Sequence, residues 1–350
     1  MRVVLILLLV ALGALAAYAS GPGGIHGSGG LAIAEVARVS AGKDGRAPGV
    51  PVTAPPGGMR DERPDAVTDA VTDGNGLAEM PVIVPVAPRP LDLRVILSGH
   101  SLTDPMGQAL PRLVRAAGGT GARIALSTIP GAPMDWRWNN RSHPPDARAD
   151  IAGFDVMVQT ERVSLSDTRR WHNSDDEALR WARHGWENGA GGQGAEVLLY
   201  ASWVSLDTGP GFDTQGDDDR DLPWRVRLDR EFAGWEEIMA HVNAHRPDGA
   251  APMRMIPATL VMAALYDAIA ERRAPGGLED IRVLFTDDIH LSPLGAWVVA
   301  LTHYAVIYAR DPRGLPGPDG VGATPELVDW VQALVWDVVT GYRGTGVVGD

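Results

Sequence analysis

The sequence predicts an α/β protein, a three-layer α/β/α sandwich with a mainly parallel sheet. Three observations predict it. From Leu91 onward, short apolar runs alternate with longer amphipathic stretches, the spacing of strand–helix–strand units that build parallel sheets. The 350 residues are 45% hydrophobic and 21% charged, which is enough to close one large core. There is no cysteine, so that core must stand without disulfides or thiolate metal sites.

The first 19 residues read as a secretory signal. Arg2 is the only charge before the apolar run of residues 3–15, and Ala17-Tyr18-Ala19 offers the small side chains a signal peptidase reads. The run is short for a span of ~20 residues, which favours cleavage over a permanent anchor. The expected location is therefore exported, periplasmic or secreted. Residues 20–90 are rich in glycine and proline and read as a linker that buries too little surface to offset its ordering entropy. The net charge of -13 argues against nucleic acid as a partner, since phosphate contacts need a basic face.

Residues 91–345 carry the domain. Strands are expected at 95–97, 123–126, 155–159, 196–200 and 253–256. Helices are expected at 107–117, where Leu110, Leu113 and Val114 share one face, and at 175–188, 228–245, 260–272, 293–309 and 326–342. In such sheets the ligand site lies beyond the carboxyl ends of the strands. Ser101, Gly131, Glu161 and Trp203 each follow a predicted strand end.

The chemistry sits in two stretches. Ser98-Gly99-His100-Ser101-Leu102 follows the first strand, and Asp287-Asp288-Ile289-His290 precedes the helix at 293–309. A serine hydroxyl is a weak nucleophile until a base takes its proton. Histidine is the side chain suited to that task near neutral pH, and a carboxylate fixes its tautomer. Ser101, His290 and Asp287 are thus the candidate nucleophile, base and orienting acid; spacing favours Asp287 over Asp288. The competing reading is structural: Ser101 and His290 as helix caps, Gly131 as a turn glycine, Glu161 in an ion pair, and the tryptophans in the core.

These motifs resemble those of the SGNH (GDSL-type) hydrolases. Gly99-His100-Ser101-Leu102 is similar to the family's Gly-Asp-Ser-Leu block with histidine in place of aspartate. Asp287-Asp288-Ile289-His290 is similar to its Asp-x-x-His block. Gly131, in Ile129-Pro130-Gly131-Ala132, matches the second-block glycine. The family's third block is usually Gly-x-Asn-Asp; Val158-Gln159-Thr160-Glu161 departs from it and resembles a divergent branch. The likeness spans residues 92–310. It implies a flavodoxin-like sheet, an ester hydrolase without cofactor or metal, and an oxyanion hole built from the N–H groups of Ser101 and Gly131. With the third-block asparagine missing, Gln159, Glu161 and Asn173 are the further candidates for that hole. Trp136, Trp138 and Trp203 are expected to wall a sugar- or acyl-binding cleft. The implied function is an exported esterase acting on an O-acyl group, such as one on carbohydrate. The alternatives are a non-catalytic glycan-binding or envelope-assembly domain, or an O-acyltransferase.

Three other signals fail. Gly99-x-Ser101-x-Thr103 lacks the second glycine of a nucleophile elbow. Asp217-x-Asp219-x-Asp221 lacks the glycine and glutamate of a calcium loop and reads as a solvated acidic stretch. His241 and His245 lack the glutamate of a zincin and read as a surface pair.

Overall fold

The computed structural model describes residues 83–119, 123–209 and 217–349. Five strands, β1 (Arg94–Gly99), β2 (Arg123–Thr128), β3 (Val156–Gln159), β4 (Glu196–Tyr200) and β5 (Arg254–Ile256), form one parallel sheet in the order β2-β1-β3-β4-β5. The helices are α1 (Met106–Ala116), α2 (Met134–Asn139), α3 (Leu165–Trp171), α4 (Ser174–Gly192), α5 (Trp224–Ala244), α6 (Ala258–Ala270), α7 (Pro293–Tyr308) and α8 (Pro325–Gly341).

Strand alternation divides the core into two halves. Val95, Leu97, Val156, Val158, Leu198 and Tyr200 face α1, α6, α7 and α8. Ile96, Met157, Val197, Leu199 and Met255 face α4 and most of α5. Both faces are therefore covered, and β1 is almost continuously apolar because neither of its faces meets water. The predicted three-layer α/β/α sandwich is the fold observed. Among the described residues no helix is long and apolar enough to cross a membrane.

Two short helices were not predicted. α2 and α3 have six and seven residues, too few for a 3.6-residue period to emerge. α5 starts at Trp224, ahead of the expected 228, with Pro223 at its N-cap.

The N-terminal border of the domain also moves. Residues 83–90, expected to end the linker, are fastened to it. Val86 N–H donates to the Gly346 carbonyl at 2.8 Å, and Arg89 N–H to the Tyr308 carbonyl at 2.8 Å. The Arg89 guanidinium pairs with Glu196, and its carbonyl accepts from Arg310 Nε at 2.9 Å. Pro85, Pro88 and Pro90 have no N–H, so the residues between them supply the donors. At the other end Val347 is buried, beyond the expected border at 345. The expected signal, 1–19, and residues 20–82 of the expected linker lie outside the described residues.

Candidate active site

β1 delivers its last residue to the carboxyl edge of the sheet, where the chain turns sharply into α1. Thr103 N–H donates to the His100 carbonyl at 2.8 Å and Met106 N–H to the Thr103 carbonyl at 3.0 Å. Gly99 permits this turn, since a Cβ there would lie 2.0 Å from Thr103 Oγ1. Ser101 sits on the turn.

Across the edge, residues 285–291 form a narrow loop closed by a bridge between Phe285 and Leu291, with Thr286 N–H donating to the His290 carbonyl at 2.8 Å. Inside it the Asp287 carboxylate accepts from Ile289 N–H at 2.9 Å, from His290 N–H at 2.6 Å and from the His290 ring Nδ1 at 2.7 Å. The two backbone donors, then the imidazole, hold the Asp287 carboxyl down to about 2. An ionised carboxylate only accepts, so Nδ1 carries the ring proton of a neutral His290. Nε2 is then an acceptor, and it lies 3.0 Å from Ser101 Oγ. Asp288 faces elsewhere: its carboxylate accepts from Ser205 Oγ at 2.5 Å and its carbonyl from Leu206 N–H at 2.7 Å.

Gly131 follows β2 in a turn closed by Ala132 N–H donating to the Ile129 carbonyl at 3.1 Å. Its φ of 66° lies in the left-handed region, which glycine enters without steric cost. Among the described residues the N–H groups of Ser101 and Gly131 make no hydrogen bond.

The further oxyanion candidates are engaged otherwise. Gln159 donates its amide to the Ala178 carbonyl at 3.1 Å, on the α4 side of the sheet. Asn173, left-handed just ahead of α4, donates its amide to Asp176 at 3.0 Å. Glu161 is fully buried and acts as an acceptor, taking Met134 N–H at 2.9 Å and Arg162 N–H at 2.7 Å. Burial pushes its carboxyl up, opposed by the nearby Arg137 guanidinium.

The expected cleft wall is corrected as well. Trp203 is 0% exposed and packs between Tyr200 and Phe285, so it belongs to the core. Trp138 is held edge-on to Trp181 at 5.0 Å, with the Arg180 guanidinium over its ring. Trp136, 56% exposed on α2 five residues after Gly131, remains open to a ligand. Asp217, expected in a solvated stretch, is instead buried: it accepts from Ser164 and Ser166 hydroxyls at 2.9 and 2.6 Å and pairs with Arg227. His241 pairs with Asp176 at 2.9 Å and stacks against His245 at 4.4 Å, a partly exposed cluster. Among the described residues no group of three histidines or acids is arranged to hold a metal ion.

Sequence reading missed Arg137 altogether. Nothing in its surroundings marks an arginine that is 4% exposed, and arginine is rarely buried.

No protein-family model matches the chain, and no curated protein sequence matches it. Among solved structures it is similar to an acetyl xylan esterase, at 15% identity and a TM-score of 0.40 over 61% of this chain and 100% of that one. It is similar to a gut microbial diltiazem-metabolizing enzyme at 13% identity and a TM-score of 0.35, over 63% and 47%. It is also similar to a DUF4886 family protein from Bacteroides uniformis ATCC 8492, at 15% identity and a TM-score of 0.51 over 71% of this chain and 94% of that one. At that identity the last likeness is one of architecture: the chain shares its α/β fold with the DUF4886 family protein.

Proposed function

We propose that the chain is an exported serine esterase that hydrolyses an O-acyl ester through an acyl-enzyme. The observation that carries this reading is the hydrogen-bonded line from Ser101 Oγ to His290 Nε2 at 3.0 Å and from His290 Nδ1 to Asp287 at 2.7 Å. Ser101 Oγ attacks the carbonyl carbon while Nε2 takes its proton, and Asp287 stabilises the imidazolium. The tetrahedral oxygen takes the N–H groups of Ser101 and Gly131. His290 then returns the proton to the departing alkoxide, and water repeats the sequence on the acyl-serine to release the acid. His290 and Asp287 side chains are 46% and 48% exposed, which suits a small acyl group on a bulky alcohol. Trp136 offers such an alcohol, for example a sugar, an open aromatic face. Export rests on the apolar segment at 3–15.

A second reading has one observation in its favour. No third-block side chain offers a donor to the oxyanion, and one such donor is worth about 3 kcal/mol in the transition state. That favours a glycan-binding or envelope-assembly domain, or an acyltransferase in which a sugar hydroxyl replaces water. A fluorophosphonate probe decides between enzyme and binder. Covalent labelling at Ser101, lost in Ser101→Ala together with hydrolysis of a short aryl ester, is expected. A folded protein that takes no label leaves the binding domain. Aryl acetate turnover that rises with added sugar acceptor, yielding acylated sugar, identifies the transferase.

A further inference from the structure

The ends of β1, β2 and β3 are tied together under the candidate site by three buried polar side chains. His100, 3% exposed, has Nε2 3.0 Å from the Glu161 carbonyl, so Nε2 carries the proton and donates it. Its bare Nδ1 then faces Leu102 N–H at 3.5 Å, on the far side of Ser101. Glu161 reaches from the β3 end to the second loop, where Oε1 accepts Met134 N–H at 2.9 Å. Arg137, on α2, closes the circuit: Nη1 donates to the Ala132 carbonyl at 3.3 Å and Nη2 to the Thr160 carbonyl. The bonded groups bracket Ser101 on one loop and lie directly after Gly131 on the other.

We propose that His100, Arg137 and Glu161 are positioning residues that fix the separation of the Ser101 and Gly131 N–H groups, so that Glu161 serves the oxyanion through the backbone from the place where the family's asparagine donates directly. This rests on the esterase reading. Its physical basis is that donors aimed in advance cost no reorganisation when the charge develops. A loop whose left-handed glycine has open space around it needs external ties to hold one orientation. Burial makes those ties expensive to break, because a freed acceptor or donor there finds no water. The Ser174 hydroxyl lies beside the Glu161 carboxyl, so a glutamine fits the same place with its amide toward that hydroxyl oxygen.

The test uses the full chain, an aryl acetate and phenylboronic acid, whose adduct with Ser101 mimics the tetrahedral state. In Glu161→Ala, kcat is expected to fall about 100-fold with KM within about threefold, and boronate affinity to fall in parallel. Glu161→Gln, which keeps the acceptor for Met134 N–H, is expected to recover kcat to within about fivefold of wild type. If the alanine variant does not fold, Glu161→Asp replaces it, since the shorter carboxylate cannot reach Met134 and predicts the same kcat loss. An unchanged kcat in a folded Ala or Asp variant overturns the proposal. So does a loss confined to KM, or a folded glutamine variant more than tenfold slower than wild type. A wild-type protein that takes no fluorophosphonate overturns the esterase reading itself and this inference with it; an active wild type with an indifferent Glu161 removes only the inference.

Discussion

Trp203 donates its indole N–H to the carbonyl of Ile289 at 3.0 Å, joining the end of β4 to the loop that carries His290. The same ring packs edge-on against Phe285, the residue that opens that loop. A tryptophan read as a cleft wall is thus a strut: it acts on the candidate base from behind. Trp203→Phe keeps an aromatic ring in the core and leaves the Ile289 carbonyl unpaired, at a cost of about 1–3 kcal/mol. The expected result is a Tm lower by several degrees and a several-fold lower kcat for an aryl ester, with KM held. Unchanged turnover in the destabilised variant would show that the loop keeps its geometry without the indole.

Neighbouring aspartates make a sharper comparison. Asp287 accepts three hydrogen bonds in the His290 loop, whereas the Asp288 carboxylate accepts from Ser205. In Asp287→Asn the amide oxygen still takes the two backbone N–H groups. Its NH2 then meets Nδ1, which must give up its proton to accept, and Nε2 becomes protonated and unable to serve as base. A loss of about 10⁴-fold in kcat is expected, with little change in Tm. Asp288→Asn retains an acceptor for Ser205 and should keep kcat within about threefold, its effect being one part-buried hydrogen bond. Steady-state kinetics on both variants checks this; equal losses would mean that the loop, and not the carboxylate beside the imidazole, sets the rate.

How far the sequence revealed the fold follows from the length of each signal. β1 and β4 were legible because uninterrupted apolar runs bounded by polar residues mean strands buried on both faces. α7 was legible from the helical pattern that follows Asp287-Asp288-Ile289-His290; its cap is Ser292, which accepts Gly295 N–H at 3.3 Å with Pro293 in the first turn, and not His290. Ser101, Asp287 and His290 were legible as residue types at a spacing, and three residues suffice for the Asp287–His290 contact because a single tight loop holds both. The buried polar network was not legible. Glu161 and Arg137 stand 24 positions apart in sequence with no periodic pattern linking them, and only the packing of three strand ends puts them together. Trp203 was misplaced for a different reason: position after a strand gives no direction for the side chain, and Trp203 points inward while Trp136 points out.

Acid sensitivity offers a test of burial itself. His303 is wholly buried on α7, its Nδ1 bonded to the Val299 carbonyl at 2.9 Å and its ring 4.5 Å from Tyr200; Nε2 has no partner. Burial, countered weakly by that hydrogen bond, lowers its pKa from 6.5 to about 4. In the unfolded chain the ring takes up a proton as pH falls through 6.5, whereas in the fold it stays neutral until about 4. The stability it contributes is therefore complete above pH 6.5 and drains away toward pH 4. The loss is about 1.4 kcal/mol for each pH unit inside that window. His100, also lowered to about 4 chiefly by burial, acts in the same direction. Glu231, raised to about 7 by burial, acts in the opposite one, since its folded form holds a proton that the unfolded carboxyl releases. Total stability against pH mixes these contributions, so the comparison must be between variants. His303→Leu keeps an apolar contact for Tyr200 and leaves His100 and Glu231 in place, and they cancel in the difference. Denaturant melts from pH 8 to pH 4 should give a wild-type curve steeper than the leucine variant's by one proton between pH 6.5 and 4, with parallel curves above that window. Curves that stay parallel down to pH 4 would mean that water reaches the ring and that the interior of α7 is open.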